Sequence, residues 1–192
     1  NPANLLSSFM SGGANLLPAR FAAEAVKEPG RWHPLVYVGE SGSGKTHLLQ
    51  GIVNGTRRKW PNLKVVYTSG DRFTRHYVLC MRRRDTTAFR EFYRGVNLLV
   101  IDDVQELAGK PGTERELCFT LDHLADQAQV VLSSSVHPKM LGFANPGLEG
   151  RLLGGQVVSL RSPDPAARSE IIRARCAEQR IPIEAGVVEF LS

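Results

Sequence analysis

The sequence predicts an α/β protein with a parallel sheet that is covered by helices on both faces. Short apolar segments alternate with stretches of helical periodicity along most of the 192 residues, a pattern typical of parallel strands joined by crossover helices. A glycine-rich turn separates the first strong strand from its helix, and a later strand ends in two aspartates. Because ligands bind at the carboxyl ends of strands in such sheets, these two features predict a binding site there.

Each element is predicted from its apolar pattern and its flanking glycines and prolines. The predicted strands are 35–38, 64–68, 96–101, 129–132 and 156–160. The predicted helices are 19–27, 45–59, 71–81, 86–93, 113–127 and one that opens at 163–165 and runs to about residue 179. A further element begins at residue 181, and we expect the chain to end before it is finished.

Composition restricts the class of protein. No apolar run approaches the length of a membrane span, and no signal peptide opens the chain. Its three cysteines are widely spaced and match neither a zinc site nor a disulfide framework, which favours a reducing, cytoplasmic location. The net charge of +5 permits contact with nucleic acid without demonstrating it.

Residues 39–46 read G-E-S-G-S-G-K-T, the G-x-x-x-x-G-K-T pattern of a phosphate-binding P-loop. Such glycines let the backbone aim several N–H groups at phosphates, and the following helix adds its positive amino end. Lys45 would neutralise the β- and γ-phosphates, and the Thr46 hydroxyl would hold Mg²⁺. An ordinary glycine-rich turn is the alternative, but it is disfavoured because the preceding strand, the loop and the following helix all fit a P-loop. The predicted P-loop contacts are Gly39, Gly42, Ser43, Gly44, Lys45, Thr46 and His47.

The apolar segment 98–101 followed by Asp102 and Asp103 has the form of a Walker B strand. Asp102 would complete the Mg²⁺ coordination opposite Thr46, and Asp103 would orient or deprotonate the attacking water. Without other motifs, the two aspartates could simply mark the solvent-exposed end of a buried strand. The P-loop upstream favours the catalytic interpretation. The guanine-reading Asn-Lys-x-Asp element is missing from the sequence, which favours ATP.

These motifs together resemble the AAA+ ATPase domain of the bacterial replication initiator DnaA family, almost without gaps over residues 9–168. The most specific stretch is Asp-Asp-Val-Gln at 102–105 followed by Gly-Lys at 109–110. The resemblance implies a five-stranded parallel AAA+ core in 1–161, in which 1–34 is the adenine-side segment. It implies that 162–192 begin a helical lid that this chain leaves incomplete.

The resemblance also implies roles for residues that carry no motif of their own. Phe9, Met10, Gly12 and Asn15 fall on the wall beside the adenine. Ser135 falls on the sensor at the end of the fourth strand, where the family usually has aspartate, and still offers a hydroxyl. Arg151 falls on the arginine finger that reaches the γ-phosphate of the next subunit, although a surface ion pair is the alternative.

Two positions depart from the family at surfaces where partners are expected. Gly147 replaces an arginine one turn before the finger, and Gly112 replaces a basic residue after Lys110. In the family, the paired helices that correspond to 71–94 contact single-stranded DNA. The resemblance therefore implies that Val78, Lys110 and Arg82 contact DNA in this chain. The alternatives are core packing for Val78 and a solvated helix end for the arginines at 82–84.

The function that the resemblance implies is a slow ATP switch. ATP or ADP with Mg²⁺ would bind, the ATP state would assemble into an oligomer on origin DNA, and hydrolysis would reverse that assembly. Duplex DNA would be recognised by a domain outside this chain, and a replicative helicase or a clamp would be a further partner. The alternatives are a regulatory adaptor of the same family, a helicase-loader or transposition-helper ATPase, and a metabolic P-loop kinase.

Overall fold

The fold is built on a five-stranded parallel sheet, in a computed structural model that describes residues 5–9 and 15–191. The strands are β1 (Leu35–Val38), β2 (Val65–Ser69), β3 (Leu98–Asp102), β4 (Gln129–Ser134) and β5 (Gln156–Ser159). The helices are α1 (Leu16–Lys27), α2 (Lys45–Lys59), α3 (Gly70–Arg82), α4 (Thr86–Arg94), α5 (Pro111–Leu124), α6 (Pro146–Gly154), α7 (Pro165–Gln179) and α8 (Ala185–Leu191). The predicted fold class is confirmed.

The strand order is β2-β3-β4-β1-β5, and all neighbouring pairs are parallel. Every residue of β1, β3 and β4 is buried, because these three strands have neighbours at both edges and helices on both faces. This order places the P-loop after β1, the aspartates after β3 and the serines after β4 at the same edge of the sheet.

Alternate residues of the central strands enter two separate cores, as the period of two in a strand requires. One core joins the sheet to α3, α4, α5 and α6 and includes Phe73, Phe89 and Leu117. The other joins it to α1 and α2 and includes Leu48 and Ile52. The P-loop helix therefore lies on one face, and the helices with the predicted DNA contacts and arginine finger lie on the opposite face.

Helix α4 is fixed to α5 by a buried carboxylate. Glu116 accepts from Arg90 at 3.0 and 3.1 Å and from Arg94 at 2.5 Å, and only 4% of its side chain is exposed. Aromatic contacts between Phe73, Phe89 and Tyr93 join α3 to α4. The α3–α4 pair is therefore packed firmly against the rest of the domain.

The predicted boundaries need several corrections. Strand β4 extends beyond residue 132 to Ser134, and α5 begins at Pro111, whose ring suits a first helical turn, and ends at Leu124. Helix α6 was not predicted because Gly147, Gly150 and Gly154 lower its helix propensity. Within the described ranges, no helix has the length and apolar character needed to cross a membrane.

Candidate nucleotide site

The P-loop joins β1 to α2 through backbone conformations that favour glycine. Gly44, the N-cap of α2, has a φ of +94°, and a Cβ there would lie 3.0 Å from the ring of Phe9. Lys45 is only 7% exposed, and its Nζ donates to the carbonyl oxygens of Gly39 at 2.6 Å and Glu40 at 2.8 Å. The ammonium is therefore held inside the loop, next to the amino end of α2.

One cavity of about 270 Å³ brings the two predicted catalytic motifs together. It is lined by Lys45, Thr46 and His47 from the start of α2 and by Asp103 from the end of β3, together with residues of the P-loop. A cation, a hydroxyl and a carboxylate thus face one space at the amino end of a helix. This arrangement suits a polyphosphate with a divalent cation.

Asp102 lies behind this cavity and does not line it. Its carboxylate is 3% exposed, and both oxygens accept hydrogen bonds from hydroxyl groups. The hydroxyl of Ser133 donates to Oδ1, and that of Tyr67 donates to Oδ2 at 2.8 Å. Asp102 is therefore oriented by two neighbouring strands, and Asp103 is the carboxylate that faces the P-loop.

A side-chain amide connects Asp103 with the predicted sensor. Gln105 Nε2 donates to Asp103 Oδ1 at 3.0 Å, and Gln105 Oε1 accepts from the backbone N–H of Ser135 at 3.1 Å. The N–H of Asp103 donates to Ser133 Oγ at 2.8 Å, and Asp103 has a left-handed φ of 58°. The ends of β3 and β4 are thereby fixed to each other next to the P-loop.

A second cavity of about 220 Å³ continues from the P-loop toward α7. Phe9 and Asn15 line it, and their role beside the adenine stays a prediction. Asn15 is 5% exposed and exchanges two hydrogen bonds with the backbone of Arg161, at 2.8 and 2.9 Å, which anchors the segment that enters α1. The predicted contacts Met10 and Gly12 lie outside the described residues.

His47 lines both cavities and contacts α7. Its Nε2 lies 3.0 Å from the carbonyl oxygen of Leu5, so this nitrogen carries the proton, and Nδ1 accepts from Arg175 Nη2 at 3.2 Å. Burial lowers the pKa of His47, and the Arg175 charge lowers it further, against the opposing effects of the Leu5 carbonyl and Glu178. The neutral imidazole therefore joins α2 to α7.

Arg151 does not line either of these cavities. It lies on α6, where its guanidinium pairs with Asp122 on α5. The surface ion pair named as the alternative is thus present, and among the described residues Arg151 does not contact the nucleotide site of its own subunit. A role at a phosphate therefore requires a second subunit.

The three predicted DNA contacts lie on the side of the molecule formed by α3 and the segment before α5. Val78 is 39% exposed and Arg82 is exposed, so core packing of Val78 is excluded. Lys110 is the N-cap residue of α5, and its Nζ donates to the carbonyl oxygen of Glu106 at 2.5 Å. The exposed apolar residues Leu79, Met81 and Phe92 belong to the same helix pair.

Several residues of the site were missed by the sequence analysis. Tyr67 and Ser133 hold Asp102, and Gln105, which the sequence placed in a motif without a role, holds Asp103. The side chains from α7 that line the second cavity were also not predicted: Ile171, Ala174, Arg175 and Glu178. The run of serines at 133–135 could have indicated Ser133. Alternate residues of a strand share a face, so Ser133 and Ser135 are expected on the same face at the end of β4.

The fold and the site together define a P-loop ATPase domain of the AAA+ class. Its Walker B strand is separated from the P-loop strand by one strand, β4, and a helical segment packs beside the P-loop. A family model described as the bacterial DnaA ATPase domain matches residues 1–159. The chain belongs to this family.

Individual relatives agree with that assignment. The chain is 36% identical to the chromosomal replication initiator protein DnaA of Herpetosiphon aurantiacus over 100% of its own length, but it spans only 41% of that relative. Domain III of the Thermotoga maritima DnaA superposes with a TM-score of 0.95 at 36% identity, covering 99% of this chain and 80% of that one. A DnaA bound to AMPPCP and single-stranded DNA gives a TM-score of 0.88 at 31% identity, covering 100% and 60%.

Proposed function

We propose that this domain is an ATP-dependent switch that binds ATP or ADP, hydrolyses ATP slowly, and couples the bound nucleotide to assembly and to DNA. The observation that carries the proposal is the single cavity lined by Lys45, Thr46 and Asp103. Family membership supports the same activity, and the solved initiator bound to AMPPCP and single-stranded DNA supports both ligands.

Different residues of the cavity bind the phosphates and the metal ion. Lys45 neutralises phosphate charge, and the backbone N–H groups of 42–46 lie at the positive end of α2. The donor set fits Mg²⁺, because this ion takes few protein ligands and completes its shell with phosphates and water. Thr46 would hold it directly, and Asp102, which does not line the cavity, would reach it only through intervening water. Mg²⁺ supplies charge neutralisation at the transferring phosphoryl group when bound.

Asp103 orients or deprotonates the water that attacks the γ-phosphate. Gln105 holds one oxygen of this carboxylate, and Asp103 lines the cavity beside Lys45 and Thr46. Aspartate is one methylene shorter than the glutamate that many AAA+ ATPases have at this position, so its reach to the water is poorer. Ser135 acts beside it as a neutral sensor of the γ-phosphate. Both features favour slow hydrolysis.

Arg151 acts in trans at the γ-phosphate of a neighbouring subunit. Its position on α6, away from both cavities of its own subunit, supports this role. A cation supplied by a neighbour couples the presence of ATP to assembly, because the charge reaches the phosphate only when a second subunit docks. The ATP state is therefore the assembling state.

Single-stranded DNA lies along the surface that carries Val78, Arg82 and Lys110. Exposed cations follow the phosphates of the strand, and exposed apolar side chains pack on sugars and bases. Arg82 and Val78 are exposed on α3, which supports this placement. The rigid attachment of α4 through Glu116 holds that surface in a fixed relation to the P-loop face.

The remaining partners belong to the whole protein. Duplex DNA would be recognised by a domain outside this chain, and a replicative helicase or clamp would follow from a role in initiation. A cytoplasmic location is supported by the free thiols of Cys80, Cys118 and Cys176.

Arg151→Ala tests the assembly part of the proposal. The variant should bind ATP as tightly as the parent, because Arg151 lies outside the cavities, and should lose assembly in the presence of Mg²⁺ and AMPPCP. Sedimentation velocity at matched concentrations measures the loss. Arg175→Ala is a contrasting variant that should weaken nucleotide binding directly. Normal assembly of Arg151→Ala would contradict the proposal that Arg151 acts at the γ-phosphate of a neighbouring subunit.

A further inference from the structure

The guanidinium of Arg151 is bound within its own subunit by three hydrogen bonds. Nε and Nη2 donate to the two carboxylate oxygens of Asp122 at 2.5 and 2.7 Å, and Nη1 donates to the carbonyl oxygen of Gly147 at 2.9 Å. The first two form the bidentate fork that suits a carboxylate or a phosphate equally well. Three of the five N–H groups of the guanidinium, including its whole Nε–Nη2 fork, are thus already in use.

Gly147 creates the space for this arrangement. A Cβ at this position would lie 3.0 Å from Arg151 Nη1 and 3.1 Å from the side-chain oxygen of Asn145. A side chain at residue 147 would therefore force the guanidinium to move by a few tenths of an ångström from its place over the start of α6. The hydrogen bond from Arg151 lowers the pKa of Asp122, which keeps this carboxylate charged.

The ion pair between Arg151 and Asp122 is exposed enough for another anion to replace the carboxylate. The exposed fractions are 38% for the Arg151 side chain and 47% for that of Asp122. Exposed ion pairs of this kind are screened by solvent and are individually weak. A more highly charged anion that arrives at the same fork can therefore replace the carboxylate.

We propose that Asp122 and Gly147 hold Arg151 in a parked position, and that the phosphates of ATP on a second copy of this chain displace Asp122 from Arg151 during assembly. The inference rests on the proposed trans role of Arg151. One set of N–H groups cannot bind the carboxylate and a phosphate at once, so the Asp122 pair opposes assembly. Asp122 is thus a positioning residue that sets the protein concentration at which the ATP state assembles.

Asp122→Asn tests the parked position, because it removes the charge and retains the shape. The half-maximal concentration for assembly, measured by sedimentation velocity with Mg²⁺ and AMPPCP, should fall by about two- to fivefold, as the loss of an exposed ion pair implies. Assembly with ADP and the affinity of the monomer for nucleotide should not change, a selectivity that a general effect on folding would not produce.

Gly147→Ala provides an independent variant, because it displaces the guanidinium by contact instead of by charge and alanine favours a helix. It should shift assembly in the same direction, and combining it with Asp122→Asn should add less than the sum of the two effects. Glu28→Gln, which breaks the exposed pair with Arg31 at the end of α1, is the matched control and should leave assembly unchanged.

The outcomes separate this inference from the proposed function. If Arg151→Ala abolishes assembly but Asp122→Asn leaves it unchanged or weakens it, the parked position is wrong and the trans role stands. If Arg151→Ala assembles as the parent does, the trans role fails and the parked position fails with it. Enhanced assembly of Asp122→Asn with ADP as well as AMPPCP would also overturn the inference, since no phosphate exchange would then be involved.

Discussion

The phenol of Tyr67 on β2 donates a 2.8 Å hydrogen bond to Oδ2 of Asp102 at the end of β3. Burial, with the adjacent negative charge of Asp102, raises the pKa of Tyr67 to about 12, even though a hydrogen bond with Gln50 opposes the shift. The phenol therefore stays protonated and remains a donor under all physiological conditions. Together with Ser133, it fixes the buried carboxylate of the Walker B strand.

Tyr67→Phe should destabilise the fold and slow ATP hydrolysis, because Asp102 keeps only the donor from Ser133 and can turn. We expect the free energy of unfolding to fall by about 1.5–3 kcal/mol, as for a lost hydrogen bond to a charged group. Chemical denaturation and steady-state hydrolysis measure the two effects. Tyr77→Phe on α3 is the control, and equal denaturation midpoints for parent and Tyr67→Phe would contradict the assignment.

Lys45→Ala should abolish measurable binding of ATP and ADP. The ammonium is buried in the P-loop and is the cation of the cavity shared with Asp103, so phosphate charge would be left without its main counter-charge. Fluorescent-nucleotide titration measures the loss. Lys59→Ala, at the other end of α2, should bind as the parent does. Unchanged affinity in Lys45→Ala would place the nucleotide elsewhere.

Glu116→Gln should loosen the α3–α4 pair from the sheet. The carboxylate is buried and receives Arg90 and Arg94, so its loss leaves two cations without a carboxylate partner. We expect the free energy of unfolding to fall by about 1–3 kcal/mol. Glu24→Gln, which breaks an exposed pair with Arg31, should cost within about 0.5 kcal/mol. Similar costs for both variants would show that Glu116 does not anchor the pair.

Acidification should destabilise the protein through His47. Its pKa in the folded state lies below 6.5, so below pH 6.5 the unfolded state binds more protons than the folded state, and stability falls as the pH falls. Protonation would also remove the acceptor for Arg175. The dependence of the denaturation midpoint on pH should be shallower in His47→Gln between pH 6.5 and 5. An identical dependence in the two proteins would exclude His47 as the cause.

The parts of the site that the sequence could predict are contiguous in the chain. The P-loop and the aspartate pair each occupy a few neighbouring residues with fixed spacing, and the alternation of strands and helices brings them to one edge. The contacts around Asp102 depend instead on strand order. Tyr67 pairs in register with Val100, two residues before Asp102, so the two side chains share a face only once β2 is known to lie beside β3.

The ion pair between Arg151 and Asp122 illustrates a second limit of prediction from sequence. Asp122 and Arg151 are 29 residues apart, on helices that meet only in the folded chain. Helix α6 was not predicted, although Pro146 at its first turn and Asn145, whose side chain caps Gly147, were signals of a helix start. The proposed role of Arg151 rests on resemblance, whereas its ion pair with Asp122 depends on helix packing that no local sequence pattern specifies.

The double variant Val78→Ala, Lys110→Ala should weaken binding of single-stranded DNA in the presence of ATP. Val78 is exposed on α3, and Lys110 is the N-cap residue of α5, so neither is needed for the core. Fluorescence anisotropy with a labelled oligonucleotide at two salt concentrations measures the change. Affinity equal to that of the parent would exclude both residues as contacts of single-stranded DNA.

Calorimetric titration of ATP and of ADP with Mg²⁺, with and without single-stranded DNA, tests the central claim most directly. A switch that couples nucleotide to DNA must bind ATP more tightly when DNA is present, because linkage is reciprocal, and ADP should show a smaller change. Nucleotide binding that single-stranded DNA leaves unaltered, with no DNA binding, would contradict the account and favour an adaptor that acts on a protein partner.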